Sequence, residues 1–94
     1  MALEFEWNSR KAAANLAKHK VGFEEAATVF SDPLGRIVTD PRHSSGEERF
    51  VLLGLSRDQR LLAVMYVDRN EAIRIISARL ATRHERRNYE ETTP

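Results

Sequence analysis

The stretch that organises this chain spans residues 73–91 and reads IRIISARLATRHERRNYEE. Its first part is rich in isoleucine, a β-branched residue that favours strands. Thr82 and, three residues later, Glu85 match a capping box, in which each side chain accepts a hydrogen bond from the other residue's backbone N–H. The stretch therefore predicts a strand, a break at about residues 79–81 and a helix that starts from Thr82.

The helix after this break has almost no apolar face, because its main non-polar groups are Ala81 and the ring of Tyr89. Such a helix is either solvated or available to a partner. From residue 69 onward the chain carries six arginines against four glutamates. Arginine presents a planar fork that fits phosphates and carboxylates. The charge is therefore consistent with a solvated face of Glu–Arg pairs, or with a surface that binds phosphate or an acidic partner.

The segments before this stretch predict the rest of a sheet. Residues 49–55 and 61–67 are apolar on both faces, which is typical of central strands covered on both sides. Tight turns at 56–59 and 68–71 connect them to each other and to a strand at 72–78, as in an antiparallel meander.

The N-terminal half predicts two helices that cover one face of that sheet. Their apolar residues recur at helical spacing, and Asn8 stands where it can cap the first helix. The predicted elements are a strand at 3–7, helices at 9–19 and 23–30, a strand at 36–39 and a polar loop at 40–48. The fold class is therefore α+β. The other face of the sheet must be covered by the C-terminal helix, a second subunit or a partner.

Composition limits the class of protein. The 94 residues predict a single domain spanning 1–94, with 41% hydrophobic and 31% charged residues. No apolar run approaches the length of a membrane span, and the N-terminus lacks the apolar region of a signal peptide. We therefore expect a cytoplasmic protein that does not associate with a membrane. The absence of cysteine excludes disulfides, thiolate catalysis and cysteine-based metal sites.

Three arginines are candidates for a ligand site because each lies in or beside an apolar strand: Arg49, Arg74 and Arg79. A charge in such a place needs a partner or a ligand. Strict strand alternation predicts that Ser77 and Arg79 share one face with Ile73, and that Arg74 lies on the other face. For Arg74, the alternative is an ion pair with a carboxylate on the neighbouring strand.

Histidine offers little evidence for a metal. His19, His43 and His84 are scattered, without the spacing of metal ligands, so we expect no metal site. His19 ends the first predicted helix, where the helix dipole stabilises its charged form. It can alternatively act as a general acid or base near the arginines.

Three segments together closely resemble the BrnT family of type II toxin–antitoxin systems. They are EFEWNSRKAAANLAKHKVGFEEAATVFSDP at 4–33, DPRHSSGEERFVLLGLS at 40–56 and residues 73–91, so the resemblance covers about residues 4–91. The motif W-[DN]-x-x-K-x-x-x-N-x-x-K-H, followed in order by F-E-E-A, G-E-E-R and R-I-I-S-A-R, is specific. The resemblance implies a RelE-like fold, with two N-terminal helices on an antiparallel sheet and a C-terminal helix.

The resemblance also implies a function. The family's members are ribonucleases that arrest translation, and a BrnA-like ribbon-helix-helix antitoxin neutralises them. The complex, a two-plus-two hetero-tetramer, represses its own operon and touches operator DNA only through the antitoxin. No cofactor is implied. The alternative is a non-catalytic interaction module that binds the antitoxin and modulates operator binding, which the modest net charge of +1 favours because strong RNA binders are usually more basic.

The family motif falls on a defined set of residues here: Lys11, Asn15, Lys18, His19, Glu47, Glu48, Arg49, Arg74, Ser77, Arg79, Glu85, Arg86 and Tyr89. A ribonuclease that uses no metal must move two protons and neutralise a phosphorane. Our hypothesis gives phosphate binding and transition-state charge to Arg49, Arg74 and Arg79, with Ser77 and Arg83 also contacting RNA. Proton transfer falls to Lys18, His19, Glu47 and Glu48. The partner surface comprises Leu80, Arg83, Arg86, Arg87 and Tyr89.

The chain departs from the family pattern at four places. Asn8-Ser9 stands for the usual Asp-Pro, which keeps a helix cap and loses only the proline. Lys20 stands for the usual glycine and Gly22 for serine, so we expect a less sharp end of the first helix and a weaker cap on the second. Leu80 stands for a frequent lysine, which removes a cation beside Arg79 and suits an apolar partner contact.

Overall fold

The computed structural model describes residues 3–39 and 48–92, and within them the chain has the predicted α+β class. The elements follow in this order: β1 (Phe5–Glu6), α1 (Ser9–His19), α2 (Phe23–Thr28), a 3₁₀ helix (Val29–Ser31), β2 (Arg36–Thr39), β3 (Phe50–Leu55), β4 (Leu61–Asp68), β5 (Ile73–Leu80) and α3 (Arg83–Thr92). The predicted helices and strands are all present, and the predicted polar loop lies outside the described residues except for Glu48. The largest differences are that β1 is two residues long and that the helix at 23–30 tightens into a 3₁₀ turn after Thr28.

The strands form one five-stranded sheet in the order β1-β5-β4-β3-β2. Strands β2 to β5 pair antiparallel with their neighbours, as the meander predicts. Strand β1 pairs parallel with β5, so the sheet is mixed and the expectation of a purely antiparallel sheet is wrong on this point. Direction was not visible in the sequence because alternation shows which side of a strand is buried and not which way it runs.

Two apolar clusters, one on each side of the sheet, make up the core. The first face carries Leu52, Val64 and Ile75, and α1 and α2 cover it with side chains that include Phe23 and Ala26. The prediction that the two N-terminal helices cover one face is therefore confirmed.

The second face carries Val51, Leu53, Leu61 and Ala63, and it packs against Tyr89 of α3. Tyr89 is 6% exposed. The sequence left three alternatives for covering this face, and in the structure the C-terminal helix of the same chain packs on it. The expectation that this polar helix is either solvated or available to a partner is wrong for its inner side, because the single ring of Tyr89 anchors it to the core.

The ends of the helices follow the predicted caps. Asn8 Oδ1 accepts from the backbone N–H of Lys11 at 3.0 Å. The capping box is present too, since Glu85 Oε1 accepts from Thr82 N at 2.9 Å and Thr82 Oγ1 accepts from Glu85 N at 3.1 Å. Lys20 takes the left-handed conformation that favours glycine, with φ of 61°, and its backbone N–H donates to Leu16 O, so the expectation of a less sharp end of α1 is wrong. Among the described residues, no helix has the length and apolarity that crossing a membrane requires.

Candidate functional site

A bulge in β5 determines which side chains share a face. Met65 lies opposite Ser77, whereas its neighbour Tyr66 lies opposite Ile75, so Ile76 is an extra residue in the strand. An extra residue reverses the alternation beyond it. The strict alternation that we predicted for this strand is therefore wrong.

The consequence is that the second face carries both arginines of β5. Arg74 lies opposite Val67 on one side of the bulge, and Ser77 and Arg79 lie opposite Met65 and Ala63 on the other side. Without the bulge, Arg74 and Arg79 would project to opposite faces. Sequence reasoning chose these arginines and missed the bulge that brings them to one surface.

Arg49 lies one residue before β3 and is exposed. Val51, two residues along, belongs to the second face. Alternation continued from Val51 would place Arg49 on the same side of the sheet as Arg74 and Arg79.

Arg79 is held by a carboxylate of α3. Its Nη1 donates to Glu85 Oε1 at 2.7 Å and its Nη2 to Glu85 Oε2 at 3.0 Å, a bidentate pair. The two side chains are 30% and 21% exposed, respectively. The hydrogen bond from Arg79 lowers the pKa of Glu85, although burial opposes it, and the same hydrogen bond raises the pKa of Arg79.

Arg74 has a weaker partner. Its Nη1 donates to Glu6 Oε2 at 3.3 Å, and Glu6 belongs to the neighbouring strand β1. Arg69 Nε lies 4.0 Å from the other oxygen of the same carboxylate. The alternative that the sequence left open for Arg74, a carboxylate on the adjacent strand, is what the structure contains.

Two of the candidates for proton transfer, Lys18 and His19, lie apart from the arginines of β5. Lys18 and His19 end α1, which packs on the first face through Ala12. No hydrogen bond or ion pair among the described residues joins either of them to an arginine of β5. Glu48 is exposed just before β3, and Glu47 lies outside the described residues. The structure thus groups the candidate residues of β5, Arg74, Ser77 and Arg79, on one face and leaves the acid and the base unassigned.

Most of the predicted partner surface is exposed, with one exception. Leu80 is 51% exposed at the end of β5, and the arginines of α3 at 83, 86 and 87 are exposed as well. Tyr89 is instead buried, and its hydroxyl donates to Asp32 Oδ2 at 2.6 Å. Burial and this hydrogen bond raise the pKa of Tyr89 to about 12. Tyr89 therefore belongs to the chain's own core and not to the outer surface of α3.

Two motif residues have structural roles that sequence reasoning missed. Asn15 is buried and donates to Val21 O at 2.9 Å and to Ala78 O at 2.8 Å, while its Oδ1 accepts from Ala78 N at 3.1 Å. Asn15 thereby bonds both backbone groups of Ala78 in β5 and fixes α1 against that strand. A buried amide needs hydrogen-bond partners, and the place of Asn15 in the motif was the signal available in the sequence.

The second missed residue is Glu25, which is 7% exposed in α2. Its carboxylate accepts from Ser56 Oγ at 2.6 Å and from Arg60 Nε at 2.9 Å, and the guanidinium of Arg60 also bonds its other oxygen. The hydrogen bond from Arg60 lowers the pKa of Glu25, with burial opposing. The network joins α2 to the turn between β3 and β4. Within residues 3–39 and 48–92 no group of histidines and carboxylates is placed to hold a metal ion.

Comparison with known proteins identifies relatives by family and by fold. A family model described as the ribonuclease toxin, BrnT, of type II toxin-antitoxin system matches residues 7–85. The 1.1 Å crystal structure of the Brucella abortus ribonuclease toxin BrnT is similar, with a TM-score of 0.65 and 20% sequence identity over 87% of this chain and 100% of that chain. At this identity, the likeness establishes the fold. No curated protein matched the sequence.

Proposed function

Because the chain belongs to the BrnT family of ribonuclease toxins of type II toxin–antitoxin systems, we propose that it is itself an endoribonuclease that arrests translation and needs no metal ion. One observation supports this most: the bulge at Ile76 gathers Arg74, Ser77 and Arg79 on one face of the sheet. Two guanidinium groups on one surface suit a phosphodiester whose charge grows in the transition state.

In the proposed reaction, a base removes the proton from a ribose 2′-OH, and the 2′-oxygen forms a bond to the adjacent phosphorus. The bond from phosphorus to the 5′-oxygen breaks, and an acid returns a proton to that oxygen. The products are a cyclic phosphate and a free 5′-hydroxyl. Arg79, Arg74 and Arg49 stabilise the charge on the phosphorane. The base and the acid are drawn from Lys18, His19, Glu47 and Glu48, of which Glu48 adjoins Arg49.

The test is inducible expression of the chain without an antitoxin, together with cleavage of RNA by the purified protein. We expect growth arrest and cleavage that persist in EDTA and disappear in Arg79→Ala. Arg10→Ala is the matched control, since it removes an exposed arginine from α1, away from the second face. Circular dichroism establishes that each variant is folded. A folded wild type that neither arrests growth nor cleaves RNA would refute the proposal, as would full activity in Arg79→Ala.

We further propose that a BrnA-like ribbon-helix-helix antitoxin binds the exposed side of α3, through Leu80, Arg83, Arg86 and Arg87, in a cytoplasmic two-plus-two complex. Exposed arginines attract an acidic segment, and Leu80 supplies an apolar contact. Operator DNA is contacted through the antitoxin. Co-purification with the product of a neighbouring reading frame tests the pairing, and Arg86→Glu combined with Arg87→Glu should abolish it.

A second candidate function is a non-catalytic module that binds the antitoxin and modulates its affinity for the operator. The observation that favours it is that the guanidinium of Arg79 already has a carboxylate partner, Glu85. An electrophoretic mobility assay distinguishes the two functions. Unchanged operator affinity of the antitoxin with and without this chain would contradict the module, and RNA cleavage by the chain alone would make it unnecessary.

A further inference from the structure

The carboxylate of Glu85 occupies the position that a phosphate would take on Arg79. It receives hydrogen bonds from both terminal nitrogens of the guanidinium, at 2.7 and 3.0 Å, and from the backbone N–H of Thr82 at 2.9 Å. The two terminal nitrogens are also the donors with which arginine grips a phosphate in a bidentate way. The same edge of Arg79 cannot hold Glu85 and a phosphate together.

We propose that Glu85 is an internal competitor for this edge of Arg79, so that the backbone of RNA engages Arg79 only after the Arg79–Glu85 pair opens. This inference rests on the proposed function and adds a restraint built into the toxin itself. The free chain then binds RNA less tightly than its arginines allow. Opening of the first turn of α3 makes the phosphate-binding face complete.

Several contacts hold the competitor in place. Glu85 stands in the first turn of α3, and the capping box ties it to Thr82. Further along the same helix, Tyr89 packs on the second face and bonds Asp32. Since Glu85 belongs to the same chain as Arg79, its effective concentration at the guanidinium is high and RNA must compete with it. The pair is partly exposed, so the competition is moderate and reversible.

The decisive variant is Glu85→Gln. Glutamine also serves in a capping box, so α3 keeps its start while the charge that holds Arg79 is removed. The matched control is Glu90→Gln, which removes the same charge from the same helix, where Glu90 faces Arg86 at 3.8 Å in an exposed pair. Any difference between the two variants reports the position of the charge and not the change in net charge.

The probe is a fluorescein-labelled, single-stranded 2′-O-methyl RNA of about a dozen nucleotides, which cannot be cleaved because its 2′-oxygens are blocked. Fluorescence anisotropy at several salt concentrations measures its Kd on the full chain. We expect Glu85→Gln to bind it roughly twofold to fivefold more tightly than Glu90→Gln does. The plot of log K against log salt should steepen by about 0.7, the value for one additional phosphate contact on a single strand.

The gain must depend on Arg79. In an Arg79→Ala background, Glu85→Gln should no longer tighten binding. Equal or weaker binding by Glu85→Gln than by Glu90→Gln would overturn the inference, since Glu85 would then position Arg79 instead of competing for it. If Glu85→Gln failed to tighten binding but Arg79→Ala alone weakened it, the proposal that Arg79 binds phosphate would be supported and only the proposed competition by Glu85 would be refuted. If Arg79→Ala alone left the Kd unchanged, both the phosphate role of Arg79 and the competition by Glu85 would be refuted.

Discussion

Substitution of Tyr89 by phenylalanine tests what holds α3 on the sheet. Tyr89 combines a buried ring with a hydroxyl that donates to Asp32 Oδ2 at 2.6 Å. Phenylalanine keeps the ring and removes only the hydroxyl. Asp32 retains hydrogen bonds from the backbone N–H groups of Leu55 and Leu34, at 2.8 and 2.9 Å. The variant therefore reports what the hydroxyl contributes, including its hydrogen bond from α3 to the segment that follows the 3₁₀ helix.

The size of the effect follows from the charge of the acceptor. Hydrogen bonds to charged groups contribute about 1.5–3 kcal/mol, so we expect Tyr89→Phe to lower the free energy of unfolding by about 2 kcal/mol at pH 7. In the folded protein the pKa of Tyr89 is raised from 10.0 to about 12. A group with a raised folded pKa contributes stability that is complete below pH 10 and is lost as the pH rises toward 12. That rise corresponds to about 3 kcal/mol.

The assay is urea unfolding of both proteins between pH 7 and pH 12. The gap in stability should hold at about 2 kcal/mol up to pH 9 and then close, because only the wild type has the phenol of Tyr89, whose ionisation the folded state opposes. Tyr66→Phe is the control. Tyr66 is equally buried, and its hydroxyl makes no hydrogen bond to any residue that the structure describes, so its loss should cost less at pH 7. Equal stability of Tyr89→Phe and wild type at pH 7 would refute the reasoning, as would a gap that stays constant to pH 12.

Two further predictions concern the first face and its helices. Lys20→Gly should raise the free energy of unfolding by about 0.5–1 kcal/mol, because Lys20 holds a φ of 61° that glycine adopts without strain. The control Lys18→Gly removes the same charge inside α1 and should lower the free energy of unfolding by about 1 kcal/mol. Thermal unfolding of both variants gives the sign of each change, and equal shifts would contradict the prediction. Ser56→Ala should cost about 2 kcal/mol at pH 7, where it deprives the buried carboxylate of Glu25 of a donor at 2.6 Å. The pKa of Glu25 is lowered from 4.5, so this stability is present above pH 4.5 and lost as pH falls, and urea unfolding should find the cost smaller at pH 3.

The parts of the fold that local chemistry specifies could be predicted from the sequence. The apolar spacing of α2, the two-sided apolarity of β3 and β4, and the capping box at Thr82 all depend on residues close together in the chain. The bulge at Ile76 could not be predicted in this way. Ile76 lies in an isoleucine-rich stretch without a glycine or a proline, so nothing local distinguishes the extra residue from an ordinary strand position.

Tertiary packing decides the bulge. With regular alternation, one of the two arginines of β5 would project into the first face, among Val64 and Ile75 under α1 and α2. A buried guanidinium without a carboxylate costs several kcal/mol, far more than one residue left out of the ladder. The arginines of the candidate site could therefore be predicted from the sequence. Their common face could not, because it depends on the bulge and hence on how the sheet packs.

The two arginines of β5 differ in how firmly the chain itself holds them. Arg74 has a single hydrogen bond of 3.3 Å to Glu6, whose side chain is 43% exposed, whereas Arg79 has the bidentate pair with Glu85, at 21% exposed. A long, exposed ion pair contributes little and opens readily, and a shorter bidentate pair opens less often. On the proposed function, a phosphate of RNA therefore meets Arg74 first. Engagement of Arg79 then follows as a second step, which requires the first turn of α3 to yield its carboxylate. Strand β1 and helix α3 thus each supply a carboxylate that holds one arginine of β5. Access of RNA to the second face depends mainly on α3, because its carboxylate makes the stronger pair.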